Sequence, residues 1–103
     1  MIAKETKKLV ALACKSEVDN AKSYGEFYNS PHEAYAVLKE EIEETEENLK
    51  CVKNYMNEIW SNIRKNEKDE LTLNVLTLNS YALMLIYEAM QVYAVSEKFR
   101  ESF

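Results

Sequence analysis

The chain has 103 residues, of which 47% are hydrophobic and 30% are charged, and its formal net charge is −5. This length predicts a single domain spanning residues 1–103, and the composition is that of a globular protein. One glycine and one proline leave too little turn chemistry for a sheet built from hairpins, so we predict an all-α fold. The acidic balance disfavours nucleic-acid binding, which needs clustered Lys and Arg side chains.

No stretch approaches the about eighteen consecutive apolar residues of a membrane-spanning helix. The apolar run near the N-terminus is too short and too interrupted for a signal peptide. Cys14 and Cys51 are the only cysteines, and they fit neither a disulfide framework nor a zinc site, so both are predicted to be reduced. We therefore expect a soluble, cytoplasmic protein.

The first predicted helix runs from residue 2 to about residue 23 and is amphipathic, with no evident chemistry. Gly25 is placed to end this helix, and Pro31 to begin the next one. Ser30 and Glu33 have the spacing of a capping box at that second start. Three aromatic residues in the loop either plug the end of a helical bundle or stack on a ligand: Tyr24, Phe27 and Tyr28.

Uninterrupted heptad patterns predict two further long helices, separated by a turn within residues 64–70 with Asn66 or Asp69 as a cap. The last helix also carries a parallel apolar stripe, and two stripes require two sets of neighbours. We therefore predict three long helices in a bundle completed by homo-oligomerisation, as a homodimer or homotetramer. The second-helix seam is Tyr35, Leu38, Ile42, Thr45, Leu49, Val52, Met56, Ile59 and Ile63. The third-helix seam is Leu71, Val75, Leu78, Ala82, Leu85, Ala89, Val92, Ser96 and Phe99, and the parallel stripe is Leu76, Leu83, Ile86, Met90 and Tyr93.

The segment Tyr81–Val95 is the most apolar part of the chain, because thirteen of its fifteen residues are apolar or aromatic. A helix that is apolar on all sides must be buried, either in a core or between subunits. The exceptions, Glu88 and Gln91, lie three residues apart and therefore on one helical face. A carboxylate there needs a proton, a hydrogen-bond partner or a bound cation.

The second helix offers a candidate partner for that face, because six residues in one eight-residue segment are glutamates. Glu43, Glu46 and Glu47 are interpreted as a solvated face. Glu41 and Glu44 lie on the shoulder of the seam, at the edge of the predicted core. If the helices pack face to face, three carboxylates and an amide converge, which suits Mg²⁺ or Mn²⁺. A hydrogen-bonded structural network is the alternative.

The segments SPHEAYAVLKEEIEE and YEAMQVYAV resemble the MazG-like all-α nucleoside triphosphate pyrophosphohydrolases, particularly small phage and prophage members. The motif of that family is E-E-x-x-E on one helix and E-x-x-D on the next. The first half stands here as Glu40, Glu41 and Glu44. The second half stands as Glu88 and Gln91, with glutamine where the family usually has aspartate.

This resemblance implies helical dimers or tetramers, a Mg²⁺ (or Mn²⁺) site, and cleavage of nucleoside triphosphates to monophosphate and pyrophosphate. Glu41, Glu44 and Glu88 would be metal ligands, and Gln91 would supply an amide oxygen. Glu40 would position or deprotonate the attacking water. Because Gln91 removes one negative charge, a catalytically inactive helical scaffold or interaction protein is the alternative expectation.

Phosphate contacts have few candidates, since one glycine cannot build a Gly-rich phosphate loop. Lys39 and Lys53 are predicted as substrate-binding residues, and ion pairing with neighbouring glutamates is the simpler interpretation of the same lysines. His32 has no His or Cys partner at ligand spacing and is interpreted as a capping or loop contact. Trp60 and the tyrosines are interpreted as bundle packing.

Overall fold

The computed structural model describes residues 1–103 and contains three α-helices and no strand. The helices are α1 (Lys4–Lys22), α2 (Pro31–Lys65) and α3 (Lys68–Ser102). The predicted all-α fold with three helices is thereby confirmed. None of the three helices combines the length and the apolar composition that crossing a membrane requires.

Helix α2 begins at the predicted capping box. Ser30 Oγ accepts a hydrogen bond of 3.1 Å from the Glu33 N–H, and Glu33 Oε2 accepts one of 3.0 Å from the Asn29 N–H. Pro31 occupies the first helical position, where its missing N–H would have had no helical partner. In the loop before it, Gly25 has a φ of 138°, in the left-handed region that favours glycine.

Helix α2 ends in a left-handed cap at Asn66, which has a φ of 57°. The Asn66 N–H donates to the Ile63 carbonyl at 3.1 Å, and the Glu67 N–H donates to the Asn62 carbonyl at 3.0 Å. This pair of bonds is the Schellman arrangement, with asparagine at the position most often filled by glycine. Because only Asn66 and Glu67 separate the two helices, α2 and α3 form a tight antiparallel hairpin.

The chain divides into two compact units, and the first comprises Met1–Ile42 and Ala89–Phe103. It contains α1, the beginning of α2 and the end of α3. Val18 is the only buried residue of α1, whose N-terminal apolar side chains remain exposed. The core of this unit is a small cluster of buried and partly buried residues: Tyr28, Ala34, Val37, Leu38, Val95 and Phe99.

Polar contacts tie the loop into the first unit. The Lys98 side chain is only 7% exposed; its Nζ lies 4.3 Å from the Tyr28 ring centroid and donates to the Ala21 carbonyl at 3.4 Å. The Tyr28 N–H donates to Ser102 Oγ at 2.9 Å. Of the three loop aromatics, Tyr28 therefore joins the core, whereas the other two, Tyr24 and Phe27, remain exposed.

The second unit, Glu43–Glu88, is the α2–α3 hairpin. The rings of Tyr55 and Tyr81 stack with their centroids 5.7 Å apart. Nearer the turn, Asn62 Nδ2 donates to Asn74 Oδ1. Because Asn62 is buried, this hydrogen bond fixes the register of the two helices.

The predicted heptad seam of α2 splits into two rows of different exposure. On α2 the half-buried row is Leu38, Thr45, Val52 and Ile59, whereas the alternate seam residues are 40–67% exposed. On α3 the parallel stripe is largely exposed, and of the segment Tyr81–Val95 only Ala94 and Val95 are buried in the single chain. The exposed α2 row is Tyr35, Ile42, Leu49, Met56 and Ile63.

Candidate functional site

Three glutamates of the predicted site come together. Side-chain oxygens of Glu41, Glu44 and Glu88 all lie within 4.8 Å of one another. Glu41 and Glu44 are one turn apart on α2, and Glu88 approaches them from α3. Glu41 and Glu88 are half-buried, and Glu44 is exposed. These three residues are termed the acidic cluster.

The acidic cluster raises the pKa of Glu88. Desolvation of its carboxyl group is the largest cause, followed by a side-chain hydrogen bond with Glu44 and repulsion by the Glu44 charge. A hydrogen bond between two carboxyl groups requires a proton on one of them, because carboxylates only accept. Without a cation, the folded chain therefore binds a proton on Glu88 more tightly than an ordinary glutamate does.

The donor set of the acidic cluster fits a small divalent cation. All three donors are carboxylate oxygens, which Mg²⁺ and Mn²⁺ prefer. An octahedral Mg²⁺ with bonds of about 2.1 Å holds its ligand oxygens roughly 3 to 4 Å apart. Small side-chain movements from the observed spacing are sufficient for that arrangement. A proton shared between Glu44 and Glu88 is the alternative way to relieve the repulsion.

Gln91, the fourth predicted ligand, is held by α1. Its Nε2 donates a hydrogen bond of 2.7 Å to Glu17 Oε2. Because an ionised carboxylate only accepts hydrogen bonds, the amide nitrogen must face Glu17 and the amide oxygen must point elsewhere. Glu88 stands three residues before Gln91 in α3, so the two side chains lie on the same helical face. The contact with Glu17 therefore orients the Gln91 amide without using its oxygen.

Glu17 has no place in the site predicted from the sequence. It belongs to the covered strip of α1, together with Cys14, Val18 and Ala21. Glu17 is the only carboxylate on that strip. A lone carboxylate among covered residues is the same signal that identified Glu88 on α3. This signal could have identified Glu17 as a residue needing a partner. It could not have identified Gln91 as that partner, because the two are 74 residues apart in the chain.

The other predicted site residues are exposed on α2. Glu40 directly precedes Glu41 but lies outside the acidic cluster. Lys39 occupies the same turn of the helix. Lys53 lies nine residues beyond Glu44, about 14 Å along the helix axis. Of the two lysines predicted to contact phosphate, only Lys39 is thus on the turn of α2 that carries the acidic cluster.

His32 lies in the first turn of α2 and is exposed. With Pro31, Tyr35 and Phe99 it lines an open, largely apolar surface cavity of about 330 Å³. The cavity contains no acidic side chain, so His32 has no carboxylate partner there for metal binding. Cys14 and Cys51 carry free, half-buried thiols.

Comparisons with protein-family models, with curated proteins and with solved structures found no match to this chain. The resemblance to the MazG-like family therefore rests on the residues of the two motifs alone. Family membership is therefore a hypothesis.

Proposed function

We propose that this protein is a Mg²⁺- or Mn²⁺-dependent nucleoside triphosphate pyrophosphohydrolase of the cytoplasm. The observation that carries the proposal is the acidic cluster, in which two carboxylates of α2 and one of α3 lie within 4.8 Å of one another. Their spacing along the chain matches the E-E-x-x-E and E-x-x-D motifs of the MazG-like family at every position except Gln91.

In this proposal Glu41, Glu44 and Glu88 hold the cation. A bound cation would neutralise charge on the phosphate oxygens and make the α-phosphorus more electrophilic. Glu40 accepts a proton from the attacking water, whose oxygen bonds to the α-phosphorus. The bond from the α-phosphorus to the α,β-bridging oxygen then breaks, and pyrophosphate leaves. Lys39 and Lys53 are the proposed phosphate contacts, and Lys39 is on the turn of α2 that carries the acidic cluster.

Gln91 and Glu17 modify the proposed site. A neutral amide in place of a carboxylate lowers the negative charge available to the cation, so metal affinity is expected to be weaker than with aspartate. The Glu17 hydrogen bond supports the glutamine as a ligand, because an outer partner that orients a ligating group strengthens its binding.

A homodimer or homotetramer is part of the same proposal. The single chain leaves apolar rows of α2 and α3 exposed, which a second chain could cover. A bundle of helices from more than one chain is the arrangement that the heptad spacing favours.

Pyrophosphate release tests the enzyme, using a panel of canonical and modified nucleoside triphosphates with Mg²⁺ or Mn²⁺. We expect metal-dependent release by the native chain and a loss of at least about 10- to 100-fold in Glu41→Gln, because losing only an outer partner of a metal ligand already costs that much. Glu46→Gln is the matched control, because Glu46 is an exposed glutamate of the same helix outside the acidic cluster. Equal rates in Glu41→Gln and the native chain would exclude the proposed metal site.

A catalytically inactive scaffold or interaction protein is the second candidate. It is favoured by Gln91, a neutral residue that stands where the related motif has an aspartate. Under this alternative the native chain releases no pyrophosphate. Pyrophosphate release that appears only in Gln91→Asp would indicate a catalytic site that has lost its activity. No release from either protein would favour a helical binding protein over an enzyme acting on the tested triphosphates.

A further inference from the structure

We propose that the N-terminal part of α1 binds the surface of an anionic lipid membrane, with the helix lying along that surface. The inference goes beyond the proposed function and does not rest on it. The part of the chain concerned, residues 1–15, is termed the basic segment. Its apolar side chains enter the lipid, and its lysines contact the lipid headgroups.

The basic segment is not covered by the rest of the chain. All of its residues except Cys14 are exposed. Ala3, at the start of α1, makes no side-chain hydrogen bond that would cap the helix. Most helical stability in proteins comes from packing of an apolar face, and an isolated helix shorter than about 12 to 15 residues is marginal in water. The basic segment therefore lacks the contacts that normally stabilise a helix, and a partner surface can supply them.

The apolar face of the basic segment points away from the covered side of α1. Leu9 and Leu12 are three residues apart on one helical face and are 66% and 64% exposed. Val18, the buried residue of α1, is nine residues beyond Leu9, which is about two and a half turns. The two side chains therefore point to opposite sides of the helix. Met1 and Ile2, which precede the helix, are exposed as well.

A positive stripe adjoins this apolar face. The basic segment contains four lysines and one glutamate, a net charge of +3, whereas the whole chain carries −5. Lys4, Lys8 and Lys15 lie within about 40° of one another around the helix axis. Lys8 is four residues before Leu12, so the stripe and the apolar face are neighbours. The single glutamate, Glu5, has its charge paired with Lys8 Nζ at 3.6 Å.

The position of the lysines in α1 indicates an anionic partner. Lys4 and Lys7 are in the first turn of the helix, where the macrodipole is positive and repels cations. These two lysines therefore do not stabilise the helix itself. An anionic surface beside them is attracted both by the lysine charges and by the helix dipole.

The composition of the basic segment favours lipid over the other anionic partners. It contains no arginine and no aromatic residue, the types that are enriched at protein–protein interfaces, where lysine is depleted. A nucleic-acid backbone would attract the lysines but would leave Leu9 and Leu12 in water. A membrane surface accommodates both groups, because anionic headgroups attract lysines and acyl chains accept aliphatic side chains.

Cosedimentation of the full chain with lipid vesicles tests the lysines. We expect binding to vesicles of equal parts phosphatidylcholine and phosphatidylglycerol, none to phosphatidylcholine alone, and weaker binding at high salt. Lys4→Gln with Lys8→Gln should lower the partition coefficient roughly 10- to 30-fold, because each lysine near an anionic surface contributes about fivefold. Lys50→Gln with Lys65→Gln is the matched control, because both are exposed lysines of α2 and the net charge changes equally. It should bind as the native chain does.

The apolar face is tested separately with Leu9→Gln. Its binding to the anionic vesicles should fall at least about 10-fold, because a buried leucine gains that much from leaving water. Leu73→Gln is the matched control, since Leu73 is an exposed leucine of α3, and it should bind as the native chain does. Circular dichroism shows whether each variant keeps its helices.

A native chain that does not sediment with the anionic vesicles overturns the inference and leaves the basic segment for an acidic protein. Equal binding to both kinds of vesicle overturns it as well. The same holds for native binding by either α1 variant, or for equal losses in an α1 variant and its control. None of these measurements involves pyrophosphate release, so failure of the enzyme proposal would leave the result unaffected.

Discussion

Glu88 links the electrostatics of the acidic cluster to the stability of the chain. Its pKa is raised above the ordinary value of 4.5, because the folded chain desolvates its carboxyl group and places Glu44 beside it. The folded state therefore binds this proton more tightly than the unfolded state does. The stability contributed by that proton is fully present below about pH 4.5 and is lost as pH rises through the raised pKa.

Replacing Glu88 with glutamine should therefore stabilise the chain at pH 8 in the absence of divalent cations. We expect Glu88→Gln to raise the midpoint of thermal unfolding by a few degrees at pH 8, because it removes repulsion with Glu44. The gain should shrink toward pH 4, where the native carboxyl group is also neutral. Glu46→Gln, measured at the same protein concentration, is the control. A gain at pH 4 as large as that at pH 8 would contradict the assignment.

The hydrogen bond between Glu17 and Gln91 can be tested by exchanging the two residues. Gln91→Glu places two carboxylates in contact and should cost about 1 to 3 kcal/mol of unfolding free energy. The exchanged pair, Glu17→Gln with Gln91→Glu, restores one amide and one carboxylate and should recover most of that loss. Urea denaturation of the four proteins in a double-mutant cycle gives the coupling energy. A coupling near zero would mean that the contact does not orient Gln91.

Local spacing in the sequence was sufficient to predict most of the acidic cluster. Glu41 and Glu44 are one turn apart on any helix, and their position beside the seam turned them toward α3 as predicted. The role of Gln91 could not be obtained in this way. Its partner comes from α1, and a contact between residues 74 apart leaves no periodic trace in either segment.

At the level of helices, heptad spacing identified residues that share a side but not what covers them. Both long helices and the capped start of α2 follow from local patterns. The seam positions of α2 nevertheless differ in exposure, with Val52 half-buried and Met56 67% exposed. One neighbouring helix covers only part of the seam, and a single sequence does not reveal whether the next neighbour is in the same chain.

The register of the α2–α3 hairpin should depend on the Asn62–Asn74 hydrogen bond. In Asn74→Ala the buried Asn62 amide loses its partner, which should cost about 1 to 3 kcal/mol of unfolding free energy. Replacing both residues with leucine removes the need for a partner and should cost less than Asn74→Ala alone. Urea denaturation compares the three chains. A double variant that is less stable than Asn74→Ala would show that the pair contributes more than satisfaction of a buried amide.

For the whole molecule, stability and binding are linked because two of the proposed ligands recognise surfaces that only the folded chain assembles. The acidic cluster needs α2 and α3 side by side, and the same pairing sets which apolar rows of the two helices remain for a second chain to cover. A ligand that binds only the folded state raises its apparent stability by mass action. A divalent cation and a second chain should therefore each stabilise the fold, the first in a pH-dependent and the second in a concentration-dependent manner.

Millimolar Mg²⁺ or Mn²⁺ should raise the midpoint of thermal unfolding at fixed protein concentration. At ten times the dissociation constant the gain is about 1.4 kcal/mol, or on the order of 5 to 10 °C for a domain of this size. The shift should be larger at pH 8 than at pH 5. A cation needs the Glu88 carboxylate, and the raised pKa of Glu88 means that a proton competes with the cation as pH falls.

Sodium chloride at equal ionic strength separates this effect from general screening of the net charge of −5. Glu44→Gln should lose most of the metal-dependent shift, whereas Glu46→Gln should keep it, because only Glu44 belongs to the acidic cluster. Equal shifts in both variants would place the cation elsewhere on the acidic surface. No shift in the native chain at millimolar metal would favour the scaffold over the enzyme, because a metal site formed only on folding cannot be occupied without stabilising the fold.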